Sequence, residues 1–200
     1  LFEGELAGAS LPLRYELEVE YAPGESYTLR DPYAFSPTLG EIDLYLAGEG
    51  RHEELYEKLG AHVLEIDGAE GVAFAVWAPA ARSVSVVGDF NSWDGRLHPM
   101  RSLGASGIWE LFVPGIGIGT HYKFRILGPD GQWHEKADPM AFRAEVPPAT
   151  ASVVTTPQHT WADDAWVAKR NATTWLDAPM SIYEVHLGSW RPGLDYRELA

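Results

Sequence analysis

Tyr122-Lys-Phe-Arg-Ile-Leu127 decides the fold. Tyr122, Phe124 and Ile126 fall at every second position and point inward. Lys123 and Arg125 point out, the period of a half-buried β-strand. Val72–Trp77, Ser83–Val87, Ile108–Val113 and Ser152–Val154 read as further strands. Ala78-Pro79, Gly88-Asp89, Pro114-Gly115 and Pro129-Asp130-Gly131 mark the turns between them. Short strands at this spacing predict an all-β, immunoglobulin-like β-sandwich over 61–155.

On the N-terminal side the character changes twice. Leu13, Tyr15, Leu17, Val19 and Tyr21 alternate with charged residues and predict a half-buried antiparallel strand ending at a Pro23-Gly24 turn. With the strand-like Leu1–Leu6, residues 1–30 read as the tail of a small β module. Residues 31–60 read as a connector with two short helices. One carries Ile42, Tyr45 and Leu46 at helical spacing. The other runs from about Arg51 to Leu59, with acidic residues first, Lys58 late and Gly60 as its stop.

On the C-terminal side, residues 156–180 read as a linker. Its Trp161, Trp166 and Trp175 imply packing against a neighbour. Ser181–Arg191 then reads as a strand, with Ile182, Tyr183, Val185 and Leu187 as strand formers and Gly188 and Pro192 closing it. A lone strand has no sheet to join. Residues 181–200 therefore read as the start of a further domain, and the chain as the front piece of a longer protein.

Composition narrows the partners. Fifteen basic against twenty-nine acidic residues leave a net charge of −14. That argues against nucleic acid and against anionic membranes, both of which select clustered Lys and Arg. It is compatible with an uncharged substrate. No cysteine is present, so neither disulfide nor thiolate chemistry is available. A cytoplasmic location is the expectation. Gly115-Ile-Gly-Ile-Gly119 has the wrong spacing for a dinucleotide loop and precedes a strand, so it reads as a hairpin turn. Asp89-Phe-Asn-Ser-Trp-Asp-Gly95 has one residue too many for a calcium loop, and Met100 stands where a bidentate Glu belongs. The seven histidines are scattered without metal-ligand spacing. Neither a metal nor a cofactor is expected.

Trp93, Lys123 and Trp133 form the one constellation with a plausible chemistry. Indole faces cover the apolar C–H faces of sugar rings, and an ammonium donates to hydroxyl oxygens. The residue types alone favour the plainer alternative, two indoles in a core and a solvated Lys.

Gly88-Asp-Phe-Asn-Ser-Trp-Asp-Gly95, Trp109-Glu-Leu-Phe-Val-Pro114, Tyr122-Lys-Phe124 and Lys136-Ala-Asp-Pro139, in that order, resemble the glycogen-binding-like sandwich of the α-amylase superfamily. Asp31-Pro-Tyr-Ala-Phe35, Leu39-Gly40, Asp43 and Gly60-Ala-His62 are similar to the connector of bacterial glycogen branching enzymes. Ser181–Arg191 looks like the first strand of their (β/α)8 barrel. The resemblance implies a retaining transferase that cuts α-1,4-glucan and moves the fragment to a 6-hydroxyl, making an α-1,6 branch. It places the reacting carboxylates on later barrel strands, downstream of Ala200, so no catalytic residue is assigned in this chain. It also implies that Trp93, Lys123 and Trp133 bind α-glucan, and that the other partner is the protein's own barrel. The alternatives are a non-catalytic glucan-binding module, or the front of a debranching or trehalose-releasing enzyme of the same superfamily. The match of residues 1–60 to the connector argues against the latter.

Overall fold

The computed structural model describes residues 7–8, 13 and 15–199. The chain divides after Pro157 into two compact units.

The first unit opens with the hairpin β1 (Leu17–Ala22) and β2 (Glu25–Leu29), which forms a sheet of its own. The turn falls at Pro23-Gly24, as expected, with Gly24 in the left-handed region at φ 86°. The expected strand is shorter at its start, since Leu13, Tyr15 and Glu16 lie outside it. Leu1–Leu6, Leu11, Pro12 and Arg14 lie outside the described residues. Of the face expected to be half-buried, Leu13 and Val19 are so, whereas Tyr15 and Leu17 are exposed, as are Tyr27 and Leu29 on the paired strand.

The connector follows. Asp31 caps a single turn at Pro32–Ala34 by accepting from the Tyr33 N–H at 2.9 Å. Helix α1 (Glu41–Gly48) forms where predicted, with Glu41 and Asp43 in its first turn. The second expected helix does not form. Only a turn at Leu55–Glu57 is helical. Tertiary contacts override its charge order, because His52 and Lys58 both reach back to Asp43, at 3.0 and 3.4 Å. Burial pushes the Asp43 carboxyl up, but His52, the Gly40 N–H and Lys58 outweigh it and hold it below the usual range.

The sandwich is built from two antiparallel sheets. The first has the order β3–β4–β7–β6: β3 (Gly60–Ile66), β4 (Ala69–Trp77), β6 (Arg101–Ser102) and β7 (Ile108–Pro114). The second centres on β8 (His121–Leu127). β5 (Ser83–Gly88) lies on one side of it, with β9 (Trp133–Lys136) and β10 (Ser152–Val153) on the other. β3 and β4 are joined by Asp67-Gly68, both at positive φ, a two-residue turn whose twist matches the strands it connects. Val72, Phe74, Val76, Leu111 and Val113 from the first sheet meet Val84, Val86, Tyr122 and Phe124 from the second, and this is the main core. The all-β immunoglobulin-like sandwich is therefore what the strands form.

The first sheet is buried on its other face too. Ala73 and Ala75 are small, and they sit opposite Phe112 and Glu110 on β7. That leaves room for the connector, whose Phe35 packs edge-on to Phe112 with ring centroids 4.8 Å apart. Leu39 and Leu59 close over Ala75 and Ile108. Glu110 is fully buried in this layer. Its Oε1 accepts from the Thr38 N–H and hydroxyl at 3.3 and 3.2 Å, and Arg101 stands 3.4 Å from Oε2. Two-sided burial explains why Val72–Val76 reads as a continuous apolar run rather than an alternating one.

Gly115–Gly119 is not a hairpin. β7 and β8 belong to different sheets, so this segment carries the chain across the sandwich. It is tied down by Gly119, whose N–H donates to the Val154 carbonyl at 2.9 Å.

In the second unit, helix α2 (Asp164–Ala172) occupies the expected linker. Within this unit Trp161 packs edge-on to His159 with ring centroids 4.6 Å apart, Arg170 lies over Trp166 at 5.2 Å, and all three tryptophans keep exposed surface. Ser181–Arg191 does not form the expected strand. Residues 181–186 have no regular structure, and Leu187–Trp190 is a short helix, α3. A strand needs a neighbour for its N–H and C=O groups. None of the described strands pairs with this stretch. No helix among the described residues is long and apolar enough to cross a membrane.

Candidate carbohydrate-binding face

The second sheet presents its outward face through β8 and β9. Lys123, Arg125 and Leu127 alternate with the core residues, and Trp133 on β9 lies opposite Leu127. Lys123 and Leu127 stand about 13 Å apart along the strand, at roughly 3.3 Å per residue.

The loop 89–95 is folded onto the same face. Each part of its sequence has a structural task. Asn91 is buried, accepts from the Gly88 N–H at 2.9 Å and donates to the Val86 carbonyl at 3.0 Å. Gly88 is required because a Cβ there would lie 2.2 Å from the His121 carbonyl oxygen. Ser92 and Trp93 both occupy the left-handed region, at φ 53° and 61°, which is uncommon for residues with side chains. The turn persists because its backbone is bound at both ends. The Trp93 N–H donates to the Gly88 carbonyl and the Asp94 N–H to the Asn91 carbonyl, each at 3.0 Å.

Two carboxylates frame the loop. Burial pushes Asp89 up, but the His121 ring and backbone N–H, the His121 charge and the Trp93 side chain outweigh it and hold it below the usual range. The imidazole Nδ1 is 2.8 Å from Asp89. Asp94 is held at about 2, first by the Arg96 guanidinium and then by the Arg96 N–H.

The predicted residues are only partly brought together. Trp133 is half-exposed, at 47%. Lys123 is half-buried and donates to the Thr150 hydroxyl at 2.8 Å, so its ammonium braces the segment leading to β10. Trp93 is half-buried in its loop. What joins the loop to Trp133 is a residue the sequence reading placed on the outer face but did not connect to the site. The Arg125 guanidinium lies over the Trp133 ring, 4.9 Å from its centroid. Gly95 sits so close to Arg125 that a Cβ there would meet the arginine Cδ at 2.7 Å. The outward register of Arg125 was the available signal.

Two buried carboxylates are consumed by the fold. Burial pushes Asp138 above its usual range, partly offset by the Tyr122 hydroxyl, which donates to it at 2.5 Å, and by the Met140 N–H at 2.8 Å. Burial likewise raises Glu110, offset by Arg101 and Thr38. A cleft of about 420 Å³ lies between the hairpin and the connector, lined by Tyr15, Glu16, Arg30, Asp31 and Asp67 among others. Arg30 there is paired with Glu16 at 3.2 Å, and the Tyr15 hydroxyl donates to Asp31. Among the described residues no three His, Asp or Glu side chains are grouped to hold a metal ion.

Residues 58–141 match carbohydrate-binding module 48, the isoamylase N-terminal domain. Over its full length the chain is 58% identical to the 1,4-alpha-glucan branching enzyme GlgB of Frankia casuarinae and 57% identical to that of Myxococcus xanthus. It covers 26% and 29% of those proteins, so it spans about a quarter of their length. Type I pullulanase from Bacillus subtilis, solved with maltose, is 31% identical over 52% of this chain and 14% of that one, with a TM-score of 0.42. Over its full length the chain is thus similar to part of the bacterial 1,4-alpha-glucan branching enzymes, and within it residues 58–141 carry the module match.

Proposed function

We propose that this chain is the forward part of an enzyme that transfers α-1,4-glucan segments to 6-hydroxyls, forming α-1,6 branches. The similarity over the full length of the chain supports this. In this reading the reacting carboxylates belong to a (β/α)8 barrel of which 181–200 is the beginning, and no residue described above takes a catalytic role. Iodine staining and reducing-end assays on amylose are expected to show neither branching nor hydrolysis by the 200-residue chain alone. Clear turnover by it would refute that assignment.

The sandwich holds α-glucan on its outer face, with Trp93, Lys123 and Trp133 as binding residues. The observation that carries this is the Trp133 ring, 47% exposed although the Arg125 guanidinium lies over it, 4.9 Å from its centroid, beside the Trp93 loop. An indole buried for packing alone would not keep that much of its surface in water. Electrophoresis in a glycogen-containing native gel tests it. The wild-type chain is expected to be retarded, and Trp93→Ala with Trp133→Ala to run freely. Equal mobility with an intact fold would remove the face as a binding site.

A further inference from the structure

We propose that Arg125 is the principal hydrogen-bond donor to glucan on this face, ahead of Lys123, and that it recognises the adjacent 2- and 3-hydroxyls of one glucose. This rests on the reading of the outer face as glucan-binding. Four observations converge on it.

Arg125 is central, since it lies beside Gly95 in the loop that carries Trp93 and over the ring of Trp133. It is pre-positioned. Its stem runs under Gly95, where a Cβ would lie 2.7 Å from Cδ and 3.1 Å from Nη1, and its guanidinium is held against the indole.

Its donors are also open. Among the described residues the Arg125 side chain has no hydrogen bond to the protein. Of the acids beside it, Glu135 stands opposite on β9 without a hydrogen bond to it, and Asp94 is engaged by Arg96 through its guanidinium and its backbone N–H, with a shortest contact of 2.6 Å. Lys123 already spends a donor on Thr150.

Finally, the chemistry matches. A planar fork donates two parallel N–H bonds and loses little freedom doing so, because its orientation is set beforehand. Adjacent equatorial hydroxyls offer two acceptors side by side. A glucose stacked on the part of Trp133 left exposed presents that edge to the guanidinium lying over the same ring. An ammonium on a flexible stem offers a point charge without such a match.

The test is a calorimetric titration of the 200-residue chain with maltoheptaose. The set is wild type, Arg125→Ala, Arg125→Lys, Lys123→Ala and Trp133→Ala. Arg125→Ala is expected to weaken binding about tenfold, the scale of a hydrogen bond from a charged group. Lys123→Ala is expected to lose less. Arg125→Lys keeps the stem and the charge, so it is expected to restore the near-ultraviolet circular dichroism and the urea midpoint without restoring affinity. That pattern separates recognition from mere bracing of Trp133. Wild-type affinity in Arg125→Ala, while Trp133→Ala binds weakly, would overturn the role of Arg125 and leave the glucan face standing. Full affinity in Arg125→Lys would overturn the fork. Full affinity in Trp133→Ala, or no binding by wild type, would overturn both the inference and the face on which it rests.

Discussion

Replacing Tyr122 by Phe removes one oxygen from the centre of the sandwich. The ring is 1% exposed and packs against Phe74 with centroids 4.9 Å apart, so the substitution keeps that contact and opens almost no cavity. What it removes is the donor to Asp138. The carboxylate is 6% exposed and keeps the Met140 N–H, but loses its shortest hydrogen bond. A bond to a charged group contributes about 1.5–3 kcal/mol, so the expected loss is about 2 kcal/mol. For a unit of this size that lowers the melting temperature by roughly 4–8 °C. The deficit should depend on pH. Burial first, with only partial relief from Tyr122, Met140 and His62, sets the folded Asp138 above its ordinary value of 3.8. The folded state then binds the proton more tightly than the unfolded chain does. Stability therefore falls as pH rises from the unfolded value through the raised folded one. Without the phenol the folded value climbs further, so the deficit is largest near neutrality and shrinks in acid. Thermal unfolding followed by circular dichroism, on both proteins across that range, measures this. A hydroxyl that mattered little would make Phe neutral or stabilising, since Phe is the more apolar residue. That result, or a deficit independent of pH, would refute the reasoning.

Two further outcomes test the layer between connector and sandwich. Phe35→Ala deletes the ring that packs on Phe112 and is expected to cost about 3–5 kcal/mol. Hydrogen exchange should then rise across residues 31–40 before it rises in β4 and β7, and protection unchanged at 31–40 would contradict the docking. Gly71→Ala puts a Cβ 2.4 Å from the Val113 carbonyl oxygen and 2.6 Å from the Phe112 ring, so the soluble folded yield is expected to collapse. Gly117→Ala, with nothing within 4 Å, should express and melt as wild type.

Much of this was legible in the residues themselves. The alternation in Tyr122–Leu127 and the turn at Pro129-Asp130-Gly131 placed Trp133 on its hairpin, and the sandwich followed from the strands around them. Two kinds of feature were not legible. Where long-range contacts override local preference, the local reading failed. Arg51–Leu59 has helical charge order, yet Asp43 draws in His52 and Lys58 and only one turn remains. Gly115–Gly119 looks like a hairpin turn, because sequence does not reveal that β7 and β8 lie in opposite sheets. Where a site depends on which side chains touch, spacing is silent. The loop, Arg125 and Trp133 are thirty and more residues apart at their extremes, and only the fold lays one upon the other. At Ser181–Arg191 the strand formers read as a strand, whereas residues 181–186 are irregular and Leu187–Trp190 is a short helix, with no described strand pairing beside them.

The most direct test of the central claim is a titration with maltoheptaose followed by the indole N–H resonances of the eight tryptophans. Binding on the outer face is expected to shift Trp133 and Trp93 together, saturably, and to leave exposed Trp161, Trp166 and Trp175 in place. Shifts confined to those three, or no shift in any of the eight, would contradict it.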